Sequence, residues 1–329
     1  MHSTFFNRRQ LFAMGGALSL GGLRVAAGAE PPPPPAIKVP DNWRRAVRIP
    51  LWPGSPPGAQ TFRQPAAPAN WPEAYRRSVA MPELHVFQSA RSNGRSILVM
   101  PGGAYWFVSV MNEGAELAPL LNERDYTVFV LTYRLPGEGW AARSDVPLQD
   151  AQRAMRIIRA RASQFRLDPA KVAALGFSAG GHLAATLATR HNERVYAAVD
   201  AVDALDARPW AAGLIYPVIT LQDPWTHELS RTLLLGELPS RAQIDRRSAE
   251  LHVDASTSPV FLCHAMDDTA VPVENSLRMM NAMREAKRPV EAHLLQEGGH
   301  AFGIGRPDTP SAQWISMLGA WLDRVASVT

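Results

Sequence analysis

Between residues 96 and 324, short continuous apolar runs bounded by Gly and Pro alternate with stretches of helical period. Ser96 to Met100 stops at Pro101-Gly102-Gly103, and Tyr126 to Thr132 is rich in β-branched residues. Lys171 to Gly176, Gly213 to Val218, Pro259 to Cys263 and Val290 to Gln296 supply further strand candidates. Strands whose apolar residues do not alternate suit a parallel sheet covered on both faces. Among the helical stretches, Ala151 to Phe165 sets Ala151, Ala154, Met155 and Ile158 on one face with arginines between them. Ala179 to Thr189, Glu274 to Ala286 and Ala312 to Arg324 complete the alternation. This rhythm predicts a single α/β domain whose mostly parallel central sheet carries helices on both faces. Leu84 to Phe87 is expected at the sheet edge.

With 329 residues, 46% of them hydrophobic, the chain is long enough to bury such a core, and no internal period suggests a repeat array. Residues 1–29 stand apart. Arg8 and Arg9 precede a moderately apolar run from Leu11 to Leu23, and Ala27-Gly28-Ala29 has the small-x-small form of a signal-peptidase site, which predicts cleavage before Glu30. A membrane span needs about 20 apolar residues, and this run is too short and too rich in glycine, so no stable span is expected in the mature protein. Asn7-Arg8-Arg9-Gln10-Leu11-Phe12 resembles a twin-arginine signal. That resemblance implies a partnership with the twin-arginine export machinery and a periplasmic or secreted location in a bacterium.

Residues 30–47, with Pro31 to Pro35, read as a tether, and 48–329 as the folded domain. From Arg48 to Pro82 the chain reads as irregular, with Trp52 and Trp71 packed on the domain. Residues 206–252 read as an excursion between core strands, placed to wall a pocket. Removal of Arg8, Arg9 and Arg24 lowers the formal charge from +4 to +1. With no basic stripe carrying interleaved aromatics, nucleic acid is not an expected partner. Cys263 is the only cysteine and lies in an apolar run, so it is expected to be a buried, inert thiol.

Gly176-Phe177-Ser178-Ala179-Gly180 joins a strand directly to a small-residue helix. So sharp a turn needs small neighbours and exposes the serine hydroxyl at the top of the sheet, beside a helix N-terminus that favours negative charge. A serine nucleophile needs a base, and His300 is the best placed of nine histidines, in the glycine-rich loop Glu297 to Gly303 after the last strand. The acid that orients it should fall between the two in sequence. His264-Ala265-Met266-Asp267-Asp268 supplies two, and spacing to Val271-Pro272 favours Asp268 over Asp267. The N–H of Ala179 and the loop carrying Gly102 and Gly103 are expected to form an oxyanion hole. Ala104, Tyr105, Trp106, Trp225 and His227 are expected substrate contacts, while His182 reads as a packed, hydrogen-bonded residue. No cluster has metal-ligand spacing and there is no phosphate or dinucleotide loop, so neither metal nor cofactor is expected.

Five segments, in this order, resemble the bacterial esterases related to acetylxylan and feruloyl esterases within the α/β-hydrolase superfamily. Hormone-sensitive-lipase-like and dienelactone-hydrolase-like enzymes are the neighbouring groups. The segments are Pro101-Gly102-Gly103-Ala104-Tyr105, Tyr133-Arg134-Leu135-Pro136, Gly176 to Leu183, Val271-Pro272-Val273-Glu274-Asn275-Ser276, and Glu297 to Gly303. The resemblance implies Ser178 as nucleophile, Asp268 as orienting acid, His300 as base, and hydrolysis of short-acyl, especially acetyl, esters of a carbohydrate or small alcohol. The chain departs from the pattern at Ala104 and Ala301, where glycine is usual. Ala104 bears on acyl size more than on catalysis. A dienelactone-type or lactone hydrolase, a small peptidase with the same triad, and a non-catalytic binding protein on this fold are the alternatives.

Overall fold

The computed structural model of the protein describes residues 37–63 and 71–328; the predicted export signal and Pro31 to Pro35 lie outside them. The described residues form ten strands: β1 (Val47–Pro50), β2 (Tyr75–Arg76), β3 (Glu83–Phe87), β4 (Ser96–Met100), β5 (Val108–Ser109), β6 (Thr127–Thr132), β7 (Val172–Phe177), β8 (Ala212–Ile215), β9 (Val260–Ala265) and β10 (Val290–Leu295). Eight of them form one sheet in the order β1-β3-β6-β4-β7-β8-β9-β10, and β2 pairs with β5 separately. Pairing is antiparallel from β1 to β3 and from β3 to β6, and parallel from β6 through to β10.

Helices cover both faces: α1 (Asp41–Arg45), α2 (Leu117–Asn122), α3 (Val146–Ala160), α4 (Ser178–Arg190), α5 (Glu228–Leu235), α6 (Arg241–Arg247), α7 (Glu274–Glu285) and α8 (Trp314–Val328). This is the α/β-hydrolase fold. The non-alternating runs are its central strands, and every residue of β4, β6, β7, β8 and β9 is buried.

Four expectations are corrected. The tether read over residues 30–47 runs into the folded domain, since Asp41–Arg45 is helical, Trp43 is fully buried in the core and β1 begins at Val47. β3 is not the edge strand, because β1 pairs outside it. β1 escaped notice because of its four residues only Ile49 is buried, which leaves no period to read. The amphipathic helix begins at Val146, with Pro147 in its first turn, and ends at Ala160 before a separate 3₁₀ turn, Ala162–Phe165. The excursion overlaps a core strand, β8, so the inserted chain proper begins after Ile215 and carries α5 and α6.

Two connections create the place for a site. From β4 the chain moves outward to β6, whereas from β7 it moves to β8 on the opposite side. Their departing loops diverge, and in parallel sheets such a switch point opens a crevice at the carboxyl ends of the strands. Met100 at the end of β4 sits opposite Gly176 near the end of β7, so Pro101-Gly102-Gly103 and Ser178 emerge side by side.

The approach to this crevice is braced by a buried ion pair. Arg134, after β6, lies 2.7 Å from Asp150 of α3, both fully buried, and Trp52 Nε1 donates to Asp150 Oδ1 at 2.9 Å. Trp52 therefore packs on the domain as expected. The Tyr133-Arg134-Leu135-Pro136 segment gains a structural meaning, since Tyr133 also donates its hydroxyl to the Pro101 carbonyl at 2.7 Å.

Candidate active site

Ser178 is the first residue of α4 and has a φ of 51°, a left-handed conformation that a side chain adopts only under strain. The neighbouring glycines permit it by close approach. A Cβ on Gly176 would stand 2.2 Å from the Gly180 carbonyl oxygen, and one on Gly180 would stand 2.1 Å from that of Met100. Among the described residues no side chain caps α4, so its first-turn N–H groups, Ala179 among them, face the crevice end of the helix.

Three loops converge on this turn. Ser178 Oγ is 2.9 Å from His300 Nε2, and His300 Nδ1 is 2.7 Å from Asp268 Oδ2. A carboxylate can only accept, so Nδ1 carries the proton and Nε2 is free to take one from the serine hydroxyl. Asp268 Oδ1 accepts the Ala270 and Val271 N–H groups, each at 2.9 Å. Burial opposes charge on Asp268, but hydrogen bonds from His264 and His300 outweigh it and hold the carboxyl well below the usual range. Asp267 instead points to the surface, where its Oδ1 accepts the Gly299 N–H at 2.7 Å. The choice between the two acids thus resolves geometrically: Asp268 meets His300, and Asp267 pins the loop before it.

The oxyanion loop differs from expectation at one donor. The Gly102 N–H is taken by Glu113 Oε2 at 2.6 Å, so it is committed to the protein. Glu113 lies in a π-helical turn, Met111–Ala115, and its Oε1 accepts the Tyr216 hydroxyl at 2.8 Å. The Tyr216 oxygen in turn accepts the Gly303 N–H at 3.1 Å, and the ring lies edge-on to His300 with centroids 5.0 Å apart. Among the described residues the Gly103 and Ala104 N–H groups have no partner, and both residues are partly exposed. With Ala179 they are the donors free to meet an oxyanion. Ala104 has a φ of 55°, which explains why glycine is usual there; alanine in this conformation costs about 1 kcal/mol.

The expected substrate contacts separate into two groups. Tyr105 and Trp106 are corrections. Tyr105 is 2% exposed and its hydroxyl lies 2.8 Å from His182 Nδ1, so it packs beneath the loop. Trp106 is 7% exposed and packs edge-on against Trp71, with Arg77 over both rings. Their aromatic character reflects packing of the loop rather than an open sugar platform. In the insertion, Trp225 and His227 remain partly exposed. His227 Nδ1 is 2.8 Å from Ser230 Oγ. Burial, and then the charge of His300, push its imidazole down to about 4, with Asp268 acting the other way, so it is neutral at pH 7 and lies within electrostatic reach of both. His182 is packed as expected, its Nε2 2.7 Å from the Arg247 carbonyl oxygen.

No group of His, Cys, Asp and Glu among the described residues is arranged to hold a metal ion. A polar cavity of about 340 Å³, lined by residues including Arg190, Glu193 and His252, opens at the other end of α4, and none of Ser178, Asp268 and His300 lines it. No helix among the described residues is long and apolar enough to cross a membrane.

The family model BD-FAE matches residues 84–283. The chain is similar to an acetylxylan esterase of Xylanibacter ruminicola, 30% identical over 247 residues, covering 74% of this chain and 48% of the relative. It is also similar to an endo-1,4-beta-xylanase B of Butyrivibrio fibrisolvens, 34% identical over 212 residues, covering 64% of this chain and 33% of the relative. It thus spans half or less of the length of these two curated relatives. Among solved structures, an acetyl ester-xyloside bifunctional hydrolase from Caldicellulosiruptor lactoaceticus superposes with a TM-score of 0.72 at 31% identity, over 86% of this chain and 97% of that one.

Proposed function

The chain belongs to the BD-FAE family, and from that premise we propose that it is a serine esterase removing acetyl or another short acyl group from esters of a carbohydrate or small alcohol. The observation that carries this reading is the continuous hydrogen-bonded line from Ser178 through His300 to Asp268. Ser178 Oγ attacks the ester carbonyl carbon as its proton passes to His300 Nε2. The oxygen gains negative charge and accepts hydrogen bonds from Gly103, Ala104 and Ala179. The bond to the alcohol breaks as Nε2 protonates the departing oxygen, leaving an acyl-Ser178. Water, deprotonated by His300, then attacks the same carbon, and the acid departs with Ser178 restored.

The similarity to an acetylxylan esterase and to an acetyl ester-xyloside hydrolase supports acetyl as the acyl group and a xylose-based alcohol. His227, neutral and partly open beside the triad, is suited to hydrogen-bond the alcohol part. On the sequence alone we further assign residues 1–29 to twin-arginine export and the mature protein to the periplasm or exterior. The test compares the protein from Glu30 onward with Ser178→Ala for acetate release from acetylated xylan and an aryl acetate. Serine-dependent release from both supports the reading. Turnover of the aryl ester alone rejects acetylated xylan as substrate, and turnover by a folded Ser178→Ala variant rejects the mechanism.

A further inference from the structure

We propose that His264, in a tautomer set by Ser276, is a positioning residue for Asp268, extending the triad into a line of five side chains: Ser276, His264, Asp268, His300 and Ser178. His264 is the penultimate residue of β9 and is fully buried. Its Nε2 is 3.1 Å from Asp268 Oδ2 and 3.1 Å from the Val271 carbonyl oxygen. Neither partner can donate, so Nε2 carries the proton and shares it between them. Nδ1 is then a bare lone pair, and Ser276 Oγ, 2.8 Å away and itself buried in the first turn of α7, donates to it.

With His264 in place, four N–H groups hold the Asp268 carboxylate. Oδ1 receives Ala270 and Val271, and Oδ2 receives His300 and His264. The carboxylate therefore cannot rotate about its Cβ–Cγ bond without breaking hydrogen bonds at both oxygens. Without His264, Oδ2 is tied to His300 alone, and the acid can follow the imidazole or turn from it. The His264 to Asp268 segment and Val271-Pro272-Val273-Glu274-Asn275-Ser276 are thus parts of one device. Asn275, beside Ser276, accepts the Ile219 and Thr220 N–H groups through Oδ1, so the insertion is tied to the same helix end.

This inference rests on the triad reading, and the experiment separates the two. Steady-state hydrolysis of an aryl acetate is measured for wild type, His264→Phe, His264→Gln, Ser276→Ala and Ser178→Ala, with a melting temperature for each. His264→Phe is expected to lose about 10- to 50-fold in kcat with KM unchanged, since supporting groups act on orientation and not on substrate binding. His264→Gln, whose amide can still donate to Asp268, is expected to recover to within about threefold of wild type. Wild-type kcat in His264→Phe, or an equal loss in His264→Gln, overturns the proposal. If His264→Phe does not fold, Ser276→Ala decides: a severalfold fall in kcat at constant KM supports the proposal and wild-type kcat overturns it. Turnover by Ser178→Ala overturns the triad itself, whereas an inactive Ser178→Ala beside a fully active His264→Phe overturns only the role of His264.

Discussion

The Glu113 carboxylate accepts the Gly102 N–H at 2.6 Å, fixing the peptide that precedes the free donors of the oxyanion loop. Because its other oxygen holds Tyr216, which holds Gly303, one buried side chain ties the loop after β4 to the loop that carries His300. Burial pushes the Glu113 carboxyl up, while the hydrogen bonds from Gly102 and Tyr216 act the other way.

Glu113→Ala is therefore expected to lower kcat by about 100-fold, the scale of a misplaced or lost oxyanion donor, with a smaller change in KM. Steady-state kinetics on an aryl acetate measure this, and a kcat within threefold of wild type would remove Glu113 from the account.

The two adjacent acids should separate cleanly. Asp268→Asn disrupts the tautomer and charge arrangement at His300 and is expected to cost about 10⁴-fold in kcat. Asp267→Asn weakens only a surface hydrogen bond to Gly299 and should cost about tenfold or less. Equal losses from the two variants would contradict the geometry.

Glu138 predicts a pH effect on stability. Burial raises its carboxyl to about 7, with the Ser78 N–H and the charge of Arg77 opposing, and among the described residues its buried Oε2 has no hydrogen-bond partner. From its ordinary 4.5 up to about 7 the folded protein keeps a proton that the unfolded chain has released, so this group's contribution to stability falls as pH rises through that window and is level above it. Glu138→Gln should remove that fall and raise the melting temperature at pH 8 by about 5 °C. Melting curves for both proteins from pH 5 to 8 provide the check, and parallel curves would refute it.

Breaking the Arg134–Asp150 pair should be costly. Asp150→Ala leaves the fully buried guanidinium of Arg134 without its main partner, an expected loss of about 3–5 kcal/mol. Denaturant titration followed by tryptophan fluorescence measures it. A loss below 1 kcal/mol would show that the guanidinium finds another partner or water.

The convergence of Ser178, Asp268 and His300 was legible because each follows a strand closely: Ser178 directly after β7, Asp268 in the turn after β9 and His300 in the glycine-rich loop after β10. The central strands were legible because burial on both faces leaves continuous apolar runs. Glu113 was not. Its partners lie 11 residues away at Gly102 and 103 residues away at Tyr216, and an acid in a short polar stretch looks like surface. His264 was visible in the segment, but its use depends on the return of α7, which brings Ser276 onto its far side. Tyr105 and Trp106 misled because an aromatic beside a glycine loop reads the same whether it faces a ligand or a neighbour. β1 lacked enough buried positions to leave a period.

His300, the proposed general base, hangs from the least secured strand of the parallel part of the sheet. Among the described residues β10 pairs only with β9, and five of its six residues are not fully buried, whereas Ser178 leaves the fully buried β7. Local opening is cheapest where few contacts must be broken. Detachment of β10 would withdraw His300 while the β4–β7 centre stays intact, so the population with His300 in reach of Ser178 is expected to be a subset of the folded population. In mild denaturant, turnover should vanish before the tryptophan fluorescence transition, and amide exchange in β10 should report the same opening that switches the site off.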